Sequence, residues 1–428
     1  MRAIDVIITT CLLFLSAVHT VSGQDQAFVL DGAMTLGNSE GSVAAGTIRW
    51  NSNTSDFEGF NGDNWVSLTQ SASSFGIAQP YRYESQILFE SEVNENENYG
   101  EDVAIEGSVY AVGTPETNSG QGAVYLYNDG ILKDKIVSNG SQEFGERVDI
   151  SGDWMVIGAD DGEAYVYDLE SSRLAALKKN TPVDYSEFIK VDGDLLGVKG
   201  EDSTIYTFVQ NGGDWDEIGQ ITSKEIAALN FDISHSGHIA ATELGQSHVR
   251  IFRLNGNEWS ETQIINPPNG FRSGSIALYD NQLVINYVWN PPSGPTSNVV
   301  PEQGFLRVFQ YVNGNWLEQD DVFVPNTVGL GIVEIWDDII ITVSDIFGSS
   351  TGQTLHNGQG KVHVIQRAGD NWNYQYSLTS SDGRAGDIFG QDIDIGTDGI
   401  IVGAIWADGY VGTQYESNRQ GKAYIFKK

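Results

Sequence analysis

The chain has 428 residues, 58 of them acidic and 23 basic, for a net charge of −35. A surface of that sign repels nucleic acid and anionic lipid, which excludes both as partners, and reads as solubility in a salty medium that screens self-repulsion. At 40% hydrophobic and 11% aromatic the sequence can fill a sizeable core, and 49 glycines against 10 prolines suit many tight turns.

Met1–Gly23 carries one positive charge at Arg2, an apolar run from Val6 to Val18, and small residues at Ser22 and Gly23. That pattern predicts a secretory signal peptide cleaved after Gly23. The run is short for a membrane span, so no membrane insertion is expected once it is removed. Cys11, inside it, is the one cysteine of the sequence, so the mature chain must hold together by packing and strand closure rather than disulfides. Residues 24–68 read as a small β module, with Thr47–Trp50 and Asp56–Phe60 as strands and Asn61–Asn64 turning into Trp65–Leu68. Such a module is too small to hold a core alone. It is expected to pack on a second copy, on the rest of the chain or on a surface structure, which makes self-association one expected use. Residues 69–83 form a linker.

Over residues 84–428 one phrase returns seven times. Its clearest copies are Val103–Gly113, Val148–Gly158 and Ile393–Gly403; weaker copies end at Lys199, Thr242, Asn286 and Thr342. A repeat of about 40–60 residues built from short alternating strands predicts an all-β, seven-bladed β-propeller with four strands per blade. Blade two divides most cleanly, into Arg147–Ser151, Trp154–Gly158 and Glu163–Leu169. Hairpin turns then lead into Trp215, Trp259, Trp316 and Trp372, which are expected to open outer strands and cover blade edges. The last repeat stops at Lys428, directly after its third strand, Lys422–Phe426. An orphan segment, Gln86–Glu90, precedes the first repeat. Pairing the two antiparallel would complete blade seven and remove the open edges of the ring.

The stretch Ser381–Gly403 resembles the FG-GAP repeats of bacterial surface proteins, relatives of the integrin α-subunit propeller. The Phe-Gly element stands at Phe144–Gly145 and Phe389–Gly390, with Tyr99–Gly100 as a variant; Gly-Ala follows at Gly158–Ala159 and Gly403–Ala404, with Gly113–Thr114 as the variant. The resemblance implies the fold and says little about a ligand. Calcium-binding members carry an Asp-x-Asp-x-Asp-Gly loop between first and second strands. Here those hairpins are short: Glu106–Ser108, Gly152–Asp153, Asp192–Asp194 and Gly396–Gly399. Asp392, Asp394 and Asp398 come nearest, but the first two alternate along a strand and would both point between blades or both outward. No metal and no cofactor is expected. Ala45–Leu68 resembles a short β module of exported Bacteroidetes proteins and phage-tail-like fibres.

Three histidines, His235, His238 and His248, fall in one repeat, but zinc needs ligands converging tetrahedrally and no fourth lies nearby. His356 and His363 straddle a loop-to-strand boundary and carry less. No Gly-x-Ser-x-Gly elbow is present, and acidic pairs such as Glu143 with Glu146 or Asp320 with Asp321 are expected of the composition. No catalytic residue is assigned. Loop length is more informative. The connections from second to third strand are short in blades two to four and long in blade five (Tyr287–Gly304), six (Val343–Gly360) and seven (Ala404–Gly421). Three adjacent long loops would build one raised sector, with Trp289, Trp406, Tyr410 and Tyr415 as contact residues and Asp345 and Asp408 as polar partners. The expected function is a secreted or cell-surface binding module for an extracellular protein or glycan. The alternatives are a propeller enzyme acting on extracellular polysaccharide, which a carboxylate or histidine cluster at the axis would favour, and a structural surface or fibre-associated protein.

Overall fold

A computed structural model describes residues 48–51, 56–60 and 65–67, and residues 81–428 apart from 91, 161, 181–182, 223–227, 244–247, 290–303, 326, 328, 345–358, 385, 408–409, 412–413 and 416–418. The signal-peptide reading therefore lies outside the described residues. Among those described, no helix is long and apolar enough to cross a membrane. Residues 1–78 and 79–428 form separate compact units. In the first, Ile48–Asn51, Asp56–Phe60 and Trp65–Ser67 make an antiparallel three-stranded sheet in chain order.

The second unit is seven four-stranded antiparallel sheets arranged as a β-propeller. Blade one is Val103–Glu106, Val109–Thr114, Ala123–Asn128 and Ile131–Ile136, and blades two to six follow through 147–176, 185–221, 228–265, 271–322 and 333–378. Blade seven joins the two ends of the unit: Ile393–Ile395, Gly399–Ala404 and Lys422–Lys427 are completed by Glu84–Leu88. The closing strand starts two residues earlier than Gln86–Glu90, with Leu88 opposite Ala423 and Ile87 opposite Tyr424. Its register shifts between Ile425 and Phe426, and every outer pair from blade three to blade six shifts at the matching place, as at Thr207/Phe208 and Val364/Ile365. A bulge there adds local twist to the blade. Glu84–Leu88 thus repeats the geometry of a covalently continuous outer strand.

Second strands such as Ile339–Ser344 and Gly399–Ala404 are buried at every position. A strand sandwiched between two neighbouring sheets meets apolar surface on both faces, hence the runs of Ile and Val. The core lies between blades: Val343 and Val364 of blade six pack with Val402 and Tyr424 of blade seven around Phe389.

The Phe-Gly phrase has a clear task there. Phe144, Phe389 and Tyr99 are each fully buried between two blades. The following glycine N–H donates back to the second strand of its own blade, Gly145 to the Gly158 carbonyl at 3.0 Å and Gly390 to that of Gly403 at 2.9 Å. The aromatic residue's backbone presses on the preceding blade: at Gly360 (φ +86°) an added Cβ would stand 1.8 Å from the Phe389 carbonyl oxygen. Only a residue without Cβ admits that approach.

The outer-strand tryptophans are structural, as their positions predict. Trp215, Trp316 and Trp372 are buried. Trp215 meets Trp154 edge-on at 5.7 Å, and the Trp259 indole donates to Thr207 Oγ1 at 2.8 Å.

Candidate functional site

The innermost strand of each blade has an open edge facing the axis, and its backbone N–H groups need partners. Acidic side chains of the preceding blade supply them. Asp392 Oδ2 accepts from Val103 at 2.9 Å and Asp394 Oδ2 from Ile105 at 2.7 Å, tying blade seven to blade one. Asp102 accepts from Val148 at 2.6 Å, Asp149 from Val191 at 2.8 Å, and Asp232 from Leu278 at 2.6 Å. At blade five the inner strand bulges between Ser273 and Ile276, and Ser275 Oγ takes over the task, accepting from Val333 at 3.2 Å.

These carboxylates line an axial cavity of about 500 Å3 at the end where the inner strands begin. The expectation for Asp392 and Asp394 is corrected here: both turn to the axis, because that is where the neighbouring strand leaves donors unmatched. Lys190, from blade three, reaches across the ring to Glu334 of blade six, Nζ to Oε1 3.5 Å. Its side chain is one-third exposed to the cavity, deep inside the ring. Desolvation pulls the Lys190 pKa down, but Glu334, Asp149, Asp232 and Asp394 together outweigh it and hold the ammonium charged. Burial raises the carboxyls in turn: Asp149 to about 7 and Asp394 to about 6, with Lys190 opposing the rise in both. Arg147 stands 3.8 Å from Asp102 and plays the same part nearer the mouth.

A reading of paired acids in exposed turns misses this ring. Its signal is a charged residue between two apolar ones on five of the seven inner strands: Asp149 in Val-Asp-Ile, Lys190 in Ile-Lys-Val, Asp232 in Phe-Asp-Ile, Glu334 in Val-Glu-Ile and Asp394 in Ile-Asp-Ile. Despite the convergence, among the described residues no three His, Cys, Asp or Glu side chains are grouped to hold a metal ion. Each aspartate is aimed at its neighbour's backbone rather than at a common point.

The histidines go separate ways. His235 is exposed between Asp192 and Asp280, 3.0 Å from each. His238 is buried against Tyr311 and Trp316, and burial pushes its pKa down to about 4. His248 lines the axial cavity. His363 is buried between Ser344 Oγ at 2.7 Å and Ser377 Oγ at 2.8 Å.

The loop sector is described in part. Second strands of blades five, six and seven end at Trp289, Ser344 and Ala404. Trp289 belongs to its strand rather than to the loop and packs edge-on against Phe271 at 5.3 Å. Tyr287 is fully buried beneath it. Trp406 is 38% exposed, with the Arg419 guanidinium 4.9 Å over its ring. Tyr410 and Tyr415 sit opposite each other in a two-stranded ribbon, Tyr410–Val411 with Gln414–Tyr415. Asp345 and Asp408 lie outside the described residues.

Comparison with curated protein sequences returns no match. Among solved structures, the chain is similar to the U3-55K structure, at 10% identity and TM-score 0.54 over 81% of this chain and 99% of that one. It is similar to the WD40 repeats of RRP9 at 9% and 0.53, over 82% and 99%. A chain of a mitotic checkpoint complex gives 11% and 0.50 over 86% and 99%. At such identities the likeness is one of fold alone. Residues 372–426, from the outer strand of blade six through the three C-terminal strands of blade seven, match the model of the FG-GAP repeat. The chain is a seven-bladed β-propeller that carries an FG-GAP repeat.

Proposed function

We propose that the protein is an exported binding module, secreted or held at the cell surface, that engages an extracellular protein or glycan through the propeller face bearing the long connections of blades five to seven. The observation that carries this reading is the placement of Trp406. It is a large ring left 38% exposed on one of those connections, with the Arg419 guanidinium stacked on it. Trp and Arg together are the pair that binding surfaces favour. The connections from outer to next inner strand share this face, and so does the axial cavity.

The enzymatic reading has one observation in its favour, the axial carboxylates with Asp149 raised to about 7 and Asp394 to about 6 by burial. Against it, both already hold two backbone N–H groups each: Asp149 those of Ile150 and Val191, Asp394 those of Ile105 and Ile395. A general acid or base needs a free path to its substrate. Binding is therefore the better reading. A screen of the purified protein against glycan and extracellular-protein arrays, run beside a depolymerisation assay on the same polysaccharides, separates the two. Saturable binding without product formation supports the module; release of reducing ends supports the enzyme.

A further inference from the structure

The axial cavity carries more acid than its ring needs. Seven carboxylates line it, from Glu101 to Asp394, against Arg147, Lys190 and Arg272. The staples account for the aspartates' orientation but not for so many acids gathered around one cavity.

A second feature points the same way and is independent of charge. Asn286, 1% exposed, lines the cavity where blade five meets blade six. Its amide nitrogen donates to the Leu330 and Gly331 carbonyls at 2.7 Å each, which fixes the side chain's orientation. Its carbonyl oxygen has no donor among the described residues, and neither has the buried hydroxyl of Ser273 beside it. A buried acceptor without a donor is destabilising, so a donor belongs there. Opposite Asn286 the inner strand is reduced to Gly274 within the bulge, where an added Cβ would stand 3.3 Å from the amide nitrogen.

We infer that this cavity is a binding site for a small organic cation carrying a primary ammonium and further N–H or O–H donors. The site goes beyond the loop-sector reading and does not depend on it. Lys190 shows that the ring already accepts an ammonium among its carboxylates, and a ligand ammonium would complete the same compensation nearer the mouth. Its remaining donors would meet Asn286 Oδ1 and Ser273 Oγ. About 500 Å3 lies within the range of small-molecule sites. A linear polyamine and an amino sugar share this chemistry.

Titration calorimetry of the purified protein with spermidine, putrescine and glucosamine, and with sodium and calcium chloride as comparators, tests the site. One saturable site is expected for an amine and none for the salts, with the tighter arm telling polyamine from amino sugar. Asp394→Asn and Glu334→Gln should each weaken it about tenfold. Asp394→Asn keeps an acceptor for the stapling N–H and should leave Tm near the parent value, whereas Glu334→Gln takes the nearest counter-ion from Lys190 and is read beside its own Tm. Ser273→Ala, which removes one hydroxyl and no pairing, should weaken binding about threefold and keeps the test valid if a carboxylate variant does not fold. No saturable heat from any amine would mean that the cavity holds water only and would overturn the inference. So would an affinity indifferent to all three substitutions, which would place the amines on the acidic outer surface.

Discussion

Asp149 shows how one side chain serves two ends. Its carboxylate caps the Ile150 and Val191 N–H groups, so Asp149→Ala would leave two buried donors unmatched and should cost roughly 1–3 kcal/mol for each. Asp149→Asn keeps one acceptor oxygen and should lose much less, a contrast that denaturant melts would read directly. The same burial sets a pH dependence. Asp149 at about 7 and Asp394 at about 6 stand above the ordinary carboxyl value of about 3.9. Between those values the folded chain holds protons that the unfolded chain has lost. The stability they contribute is full below about pH 4 and is lost as pH rises through 6 and 7. Tm should therefore fall from mildly acidic to mildly alkaline buffer, and less steeply in Asp149→Asn; an unchanged slope would contradict the assignment. Lys190→Met removes the counter-ion of four carboxylates and should destabilise by roughly 2–4 kcal/mol, more at alkaline pH than at pH 5, where Asp149 and Asp394 are protonated.

At the scale of elements, the junction between blades is made by backbone approach as much as by apolar packing. Gly360→Ala would place a methyl 1.8 Å from the Phe389 carbonyl oxygen, at a backbone angle that L-residues avoid, and should cost roughly 2–4 kcal/mol. Gly314 has a similar φ of +91° with nothing within 4 Å, and its alanine variant should lose only about 1 kcal/mol. Equal losses would show that the angle alone matters. The repeat phrase exposed this architecture because alternation, turn residues and the Phe-Gly step are local signals. The closing strand was legible by subtraction, a repeat short of one strand beside an orphan segment. The axial ring was not, because Asp102 and Val148 are far apart in sequence and the bond between them exists only once the ring is closed. Trp289 was misplaced for a related reason: its strand runs further than the alternation shows, and Phe271 across the hairpin claims the ring.

For the whole molecule, stability rests on closing a circle without a disulfide. Glu84–Leu88 contributes the outer strand of blade seven, and the Glu84 carboxylate also accepts from Ser381 N at 2.9 Å and Ser381 Oγ at 2.8 Å. Deleting the chain through Glu90 should bare Lys422–Lys427 along its length, lower Tm by many degrees and promote aggregation at the open edge. A truncated chain that melts like the full one would refute the clamp. A closed ring of this kind is a rigid frame, and what it presents depends on its loops.

The most direct measurement is the affinity of the Trp406→Ala, Tyr410→Ala double variant for whatever partner the arrays identify, taken beside its Tm. Binding is expected to weaken at least about tenfold with Tm within a few degrees of the parent protein, as when contact residues are removed from a rigid frame. Unchanged affinity, or affinity and Tm lost together, would contradict it and return both rings to the packing of their own loop.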